Sequence, residues 1–220
     1  MTETLKAIRK RVVVFISGGG SNMLALAKAA SEPDFPAEIV GVISDKAEAG
    51  GLAKAAALGI PTFSFVRKDY DSKDAHEAAI LSALESLSPD IICLAGYMRL
   101  LSAAFINRYE GRIINIHPSL LPLFPGLHTH QRAIDAGMEE AGCTVHFVTE
   151  GMDEGPVILQ AKVPVLPGDT AEALAARVLV EEHRTYPVAL RLIAEGKASM
   201  TDGRVIGAEG VTTDVPWSTI

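Results

Sequence analysis

Val12-Val13-Val14-Phe15-Ile16-Ser17-Gly18-Gly19-Gly20-Ser21-Asn22 decides the fold of this chain. The unbroken apolar run at its start marks a strand buried on both faces. Three glycines break that run, and residues 23–30 then carry a helical pattern. A buried strand, a glycine turn and a helix in this order form the opening of a parallel α/β sheet.

The same cycle repeats outward from that stretch. Residues 39–43 read as a second buried strand, and residues 47–58 as a helix ended by Gly59. Residues 61–66 suggest a short third strand, and Asp71-Ser72 opens an amphipathic helix to about Leu87. Residues 91–95 read as a fourth buried strand ending at Gly96, residues 100–109 as a helix, and residues 113–117 as the next strand. Right-handed crossovers then give a Rossmann-like, doubly wound, mostly parallel sheet. After a helix near 128–137, residues 143–149 and 157–165 read as consecutive strands, an antiparallel extension. Residues 170–196 form a last long helical region, and residues 199–220 lose periodicity and read as a loosely packed C-terminal arm. The expected organisation is a single domain, 1–220, with a phosphate-binding half (12–112), a second half (113–198) and that arm.

Bulk properties narrow the function. The chain has 220 residues, 48% of them hydrophobic and 21% charged, the balance of a packed globular protein. A formal net charge of -7 argues against nonspecific nucleic-acid binding, which needs a basic face. A small anion is not excluded, because a helix N-terminus and a few local cations can bind one against the global charge. Cys93 and Cys143, the two cysteines, lie in apolar runs, so a reducing compartment fits better than a disulfide framework. The polar opening, residues 1–11, has no secretory apolar region, and no run reaches the ~18 apolar residues of a membrane span. The expected location is cytoplasmic, without a membrane or nucleic-acid partner.

In such sheets ligands bind at the carboxyl ends of the strands, and three ends here are unusual: 17–22, 96–99 and 115–119. Gly18-Gly19-Gly20 allows close backbone approach, and the helix opening at Ser21 and Asn22 favours an anion. A dinucleotide fingerprint fails, because Met23 holds the place of its third glycine; the Lys-Ser/Thr end of a P-loop is also missing. A single phosphate fits better, against the alternative of a tight turn with no ligand. Asn115-Ile116-His117-Pro118-Ser119 puts an amide and an imidazole on the same side of a strand. Asn115 can donate to a developing oxyanion, and His117 can donate or carry a proton. Asp153, between glycines in a loop, reads as a turn aspartate or as a carboxylate serving His117. His146 alternates with apolar neighbours and reads as a core or pocket-lining histidine. His128-Thr129-His130 has no acidic or cysteine partner at ligand spacing, so no metal is expected. Arg99, at a strand end, suits an acid or a planar ring, or faces solvent; Glu182-His183 reads by default as a solvated helix pair.

Taken together, Ile16 to Asn22, Leu94-Ala95-Gly96-Tyr97-Met98-Arg99, Asn115 to Pro122, residues 142–148 and Pro156-Val157-Ile158-Leu159-Gln160 resemble the folate-dependent formyltransferases. The Ser-Gly-x-Gly-Ser-Asn loop resembles the glycinamide ribonucleotide branch of that family. The resemblance spans residues 12–187. It implies formyl transfer from 10-formyltetrahydrofolate, as co-substrate, to the amine of glycinamide ribonucleotide in purine biosynthesis. It further implies Asn115, His117 and Asp153 as the catalytic trio, with Gly20, Ser21 and Asn22 on the substrate phosphate and Glu182 on its ribose. The folate pocket would take Met98, Arg99, Leu100 and Leu101, together with Asn115 and a loop of Thr149, Glu150, Gly151, Met152 and Asp153. Lys73 stands where the family tends to have arginine, which weakens a folate-tail contact. Asp45 replaces a typical asparagine and adds negative charge near the phosphate edge. The rivals are a hydrolase of the same folate, a formyltransferase acting on charged initiator tRNA, and a silent nucleotide-binding module. A monomer or a homodimer is compatible with the sequence.

Overall fold

The computed structural model describes residues 8–207. Residues 1–7, and 208–220 of the expected C-terminal arm, lie outside the described residues. Seven strands form one sheet: β1 (Lys10–Ile16), β2 (Ala37–Ser44), β3 (Thr62–Ser64), β4 (Ile91–Leu94), β5 (Ile113–His117), β6 (Glu140–Phe147) and β7 (Val157–Pro164). Their order is β3-β2-β1-β4-β5-β6-β7. The pairings from β3 to β5 are parallel, whereas β6 runs antiparallel to both β5 and β7. This is the Rossmann-like sheet with an antiparallel extension that the sequence led us to expect.

Alternation along β1 fills two cores. Val12, Val14 and Ile16 join a cluster with Met23 and Leu26 of α1 (Ser21–Ala30), Ala133 of α5 (Thr129–Asp135), and Leu174, Val178 and Tyr186 of α6 (Ala171–Ala194). Val13 and Phe15 face the other side, with Ile80 and Leu84 of α3 (Lys73–Leu87) and Phe105 and Ile106 of α4 (Ala103–Arg108). A strand that lines two cores has no polar position, which explains the unbroken apolar run. The Tyr186 hydroxyl points at the carbonyls of Leu94 (3.0 Å) and Ile114 (3.1 Å), anchoring α6 where β4 and β5 lie side by side.

Several boundaries differ from expectation, each for a local reason. The second helix, α2 (Gly50–Ala57), starts later than residue 47, because the Gly51 N–H is bonded to the Gly18 carbonyl (3.0 Å). Residues 100–102 are loop rather than helix. Ser102 caps α4 by accepting from the Phe105 N–H at 3.2 Å, and its own N–H donates to Glu77 (2.9 Å). The strand expected at 143–149 starts at Glu140 and ends at Phe147, so residues 148–149 belong to the loop before β7. The segment 199–206 is not loose. It forms a hairpin of β8 (Ser199–Thr201) and β9 (Arg204–Ile206), with Met200 and Val205 packed on the core. Its turn is Asp202-Gly203, both at positive φ (50° and 70°), the geometry of a two-residue hairpin turn.

The glycine loop is pressed against the start of α2. A Cβ on Gly51 would lie 2.5 Å from the Ile16 side chain and 3.1 Å from the Gly20 Cα. Gly51→Ala should therefore destabilise the protein by about 1–3 kcal/mol through overpacking. Urea unfolding should show a lower midpoint with an unchanged m-value.

Candidate active site

The carboxyl ends of β1, β4 and β5 carry the residues singled out above. Asn115 and His117 stand two apart on β5, and the β5–β6 register sets them opposite His146 and Thr144. His146 Nδ1 lies 2.9 Å from the Phe147 carbonyl. A carbonyl only accepts, so Nδ1 carries the proton. In the neutral ring Nε2 is then an acceptor, and it lies 3.1 Å from Asn115 Nδ2. The ring orients the amide with its N–H group towards His146, leaving one N–H for another partner. Burial holds His146 below the ordinary imidazole range, despite the raising effects of the Phe147 carbonyl and Asp153.

His117 is fixed in a similar way. Its Nε2 donates to the Phe124 carbonyl (3.1 Å), and its Nδ1 lies 3.4 Å from Asp153 Oδ2. Phe124 has φ 53°, so the chain turns sharply to present that carbonyl. Asp153 also has positive φ, 56°. Its Oδ2 accepts from the Gly126 N–H at 2.8 Å, and its Oδ1 is 3.8 Å from His146 Nε2. A Cβ on Gly155 would fall 1.7 Å from the Phe147 carbonyl oxygen, so only glycine fits beside this loop. The Thr144 hydroxyl donates to the Ser119 carbonyl (2.6 Å) and accepts from the Leu121 N–H (3.0 Å). The segment that holds His117 and Asp153 is thereby secured to β6.

A cleft of about 360 Å³ opens at this cluster, lined by Asn115, His146 and Asp153. Leu94, Ile106 and Val148 give it an apolar lining, and Thr149, Glu150, Gly151 and Met152 border it, as do Lys73, Arg99, Leu100 and Leu101. His117 does not line it; with a side chain 7% exposed, it adjoins Asp153 instead. Met98 belongs to an adjoining recess of about 350 Å³ with Arg67, His76 and Glu77. Met98 and Leu100 are 61% and 66% exposed, so the buried apolar lining comes chiefly from the sheet and α4. Lys73 borders both recesses and lies 3.7 Å from Glu77.

The glycine loop forms a second locus. Gly20, at φ 70°, precedes α1, which has no side-chain cap and no acidic residue in its first turn. Among the described residues no N-cap side chain takes up the first amides of α1, a geometry that suits an anion. Lys54 Nζ donates to the Gly19 carbonyl (2.8 Å), adding a cation that the sequence reading left out. Asn22 is buried and donates to Glu182 Oε2 at 2.6 Å, whereas its Oδ1 is buried with no partner among the described residues. Glu182 is buried rather than a solvated helix residue, and burial raises its carboxyl above the ordinary range even with Asn22 donating to it. Ser21 is exposed at the start of α1. Cys93 lies apart from this chemistry: burial pushes its thiol up to about 12. Among the described residues, no three His, Cys, Asp or Glu side chains are grouped to hold a metal ion, and no helix is long and apolar enough to cross a membrane.

His146 and Lys54 are the residues that sequence reading undervalued. The signal for His146 was its period-2 position on β6, but only the cross-strand register reveals its partner. Lys54 reaches back over 35 positions of sequence.

The formyl transferase model matches residues 10–190. A phosphoribosylglycinamide formyltransferase of Escherichia coli is 43% identical over 209 residues, 92% of this chain and 99% of that protein. Among solved structures, a phosphoribosylglycinamide formyltransferase from Brucella melitensis is 74% identical with a TM-score of 0.82, over 84% of this chain and 96% of that one. A glycinamide ribonucleotide transformylase from Symbiobacterium toebii is 48% identical with a TM-score of 0.87, over 90% and 93%. With a family match and these identities across most of its length, the chain belongs to the formyl transferase family.

Proposed function

We propose that this protein is a cytoplasmic enzyme of purine biosynthesis. It transfers the formyl group of 10-formyltetrahydrofolate to the amine of glycinamide ribonucleotide. The observation that carries this reading is the pairing of two loci at neighbouring strand ends. One is the Asn115–His146–Asp153 cleft, and the other is the uncapped glycine loop with the buried Asn22–Glu182 pair. A hydrolase needs the first but not the second. A formyltransferase for charged tRNA sits poorly with a net charge of -7.

The ribonucleotide phosphate lies on Gly20, Ser21 and Asn22, where the α1 amides meet it, and Glu182 accepts from ribose hydroxyls. The folate binds in the cleft along Arg99, Leu100, Leu101 and residues 149–153, with Met98 and Lys73 at its outer end. The amine nitrogen attacks the formyl carbon, and a carbon–nitrogen bond forms as the carbonyl π electrons move to oxygen. The free N–H of Asn115 donates to that oxyanion, and the imidazolium form of His117 stabilises it by charge. Asp153 takes a proton from the new ammonium, directly or through a water. As the oxyanion collapses, the bond from the formyl carbon to the folate nitrogen breaks, and that nitrogen is protonated through Asp153 and His117. This route needs no metal and no covalent enzyme intermediate.

Steady-state assays should show formyl transfer to glycinamide ribonucleotide at a rate unaffected by a chelator. Folate turnover indifferent to the ribonucleotide would instead favour the hydrolase. Asp153→Asn should fold normally, bind both substrates and lose at least ~100-fold in turnover, the lower range for a positioned acid–base group. Near-normal turnover would return Asp153 to the role of a turn residue.

Glu182 couples this function to stability. Its carboxyl is raised, so the folded state holds that proton more tightly than the unfolded chain does. Its contribution favours folding below the ordinary value of about 4.3 and is lost as pH rises through the raised value. Glu182→Gln does not titrate and still offers Asn22 an acceptor. It should melt higher than the unaltered protein at about pH 7.5, with the difference shrinking towards pH 4. Its KM for the ribonucleotide should rise roughly tenfold or more, because bonds to a charged acceptor are lost. Thermal melts across pH, together with kinetics, check both halves.

A further inference from the structure

Asp45 stands directly after β2 and is 7% exposed, yet it borders neither recess of the cleft. Its Oδ1 accepts from the Ser17 hydroxyl at 2.5 Å. The Ser17 oxygen accepts in turn from the Met98 N–H at 2.9 Å. A hydroxyl has a single proton, so the one directed at Asp45 fixes the oxygen as the acceptor for Met98. The Ser17 N–H donates to the Gly96 carbonyl at 3.2 Å, a second tie to the same loop. Asp45 Oδ2 lies 3.7 Å from Arg99 Nη1. Both carboxylate oxygens are therefore directed, one through Ser17 and one straight, at the segment 96–99.

An asparagine here could keep only half of this. Its carbonyl could still accept from Ser17, but its amide would meet the guanidinium donor to donor. The negative charge that looked misplaced beside a phosphate loop is paired with Arg99 and turned towards the folate side.

We propose that Asp45 is a positioning residue for folate binding, which holds the Met98 backbone and the Arg99 side chain through Ser17 and a direct ion pair. The inference rests on the formyl-transfer reading above. Asp45 touches neither substrate and acts through the loop alone.

The test is steady-state kinetics of the unaltered protein, Asp45→Asn, Ser17→Ala, Arg99→Gln and the double variant Asp45→Asn/Arg99→Gln, with thermal unfolding to check each fold. Asp45→Asn is isosteric and should raise the KM for 10-formyltetrahydrofolate about three- to tenfold, the scale of one partly buried ion pair. Its KM for the ribonucleotide should stay within about twofold, inside the scatter of sites that do not interact. In the Arg99→Gln background the same substitution should add less than about twofold, the mark of coupled residues. Ser17→Ala, which keeps Asp45 but cuts the Met98 tie, should also raise the folate KM selectively. Equal changes for both substrates, an unchanged folate KM, or full additivity with Arg99→Gln would overturn the proposal. Absence of formyl transfer by the unaltered protein would overturn the function instead. Titration with folic acid then reads Asp45 separately: a weaker Kd in Asp45→Asn supports the positioning role, and an equal Kd, or no binding by either protein, overturns it.

Discussion

The site depends on one short antiparallel pairing. β5 is parallel to β4 on one side and antiparallel to β6 on the other, with Asn115 opposite His146 and His117 opposite Thr144. A slip of one residue would turn both β5 side chains to the opposite face. The register is held by burial, since Ile114 and Ile116 face the α6 core and Ile113 the α4 core. Tyr186 adds a polar clasp on the Ile114 carbonyl. Thr144, the partner of His117 across the strands, then secures the 119–121 segment, and the chain beyond it supplies the Phe124 carbonyl and the Gly126 N–H. His117 and Asp153 are thus oriented by a loop whose own position follows from the β6 register.

Much of the fold was legible because burial on both faces writes an apolar run into the sequence, as at 12–16 and 91–94. Asn115 and His117 were legible for a related reason: period 2 on a strand decides the face without any partner. Asp153 was ambiguous because its placement rests on a positive φ and a bond from Gly126, 27 positions away. His146 was read as a pocket-lining histidine, which it is, but its control of the Asn115 amide depends on pairing that no local pattern encodes. The missed hairpin at 199–206 is different. Its Asp-Gly turn is a local signal, and its strands of three residues are too short to show alternation. Two helix starts shifted where a tertiary bond took over from propensity, at Gly51 through the Gly18 carbonyl and before α4 through Glu77 at Ser102.

Burying polar groups costs stability unless they are paired, and this protein pairs them unevenly. Ser17, Asp45 and Thr144 have partners for their buried oxygens. Asn22 Oδ1 has none among the described residues, and Glu182 is a carboxylate under a desolvation penalty with the Asn22 amide to offset it. The shortfall lies at the locus where the proposed ribose and phosphate bind, so a ligand rich in hydroxyl donors relieves it. His146 answers the same pressure differently. Burial keeps it neutral, which makes Nε2 an acceptor and leaves the Asn115 amide only one way to point. A protonated His146 would carry a proton on Nε2, which lies 3.8 Å from Asp153 Oδ1, and could no longer accept from the Asn115 amide, so desolvation at this position acts as an orienting force.

The order of strands also brings the two loci together. β1 and β4 are sheet neighbours with Phe15 beside Leu94, so the glycine loop after one and the 96–101 loop after the other emerge side by side. Adjacency alone would leave two independent loops. Ser17 prevents that, because it is the first residue beyond β1 and its N–H and hydroxyl both engage the loop beyond β4. On the proposed reading, the phosphate-side turn begins where the folate-side loop is anchored, and the hydrogen bonds of Ser17 help set the separation of amine from formyl carbon. Replacing Ser17 therefore alters the relation between the two loci while leaving the residues of each intact. Direct transfer demands such a relation, because reacting atoms must be held about 3–3.5 Å apart before a bond can form.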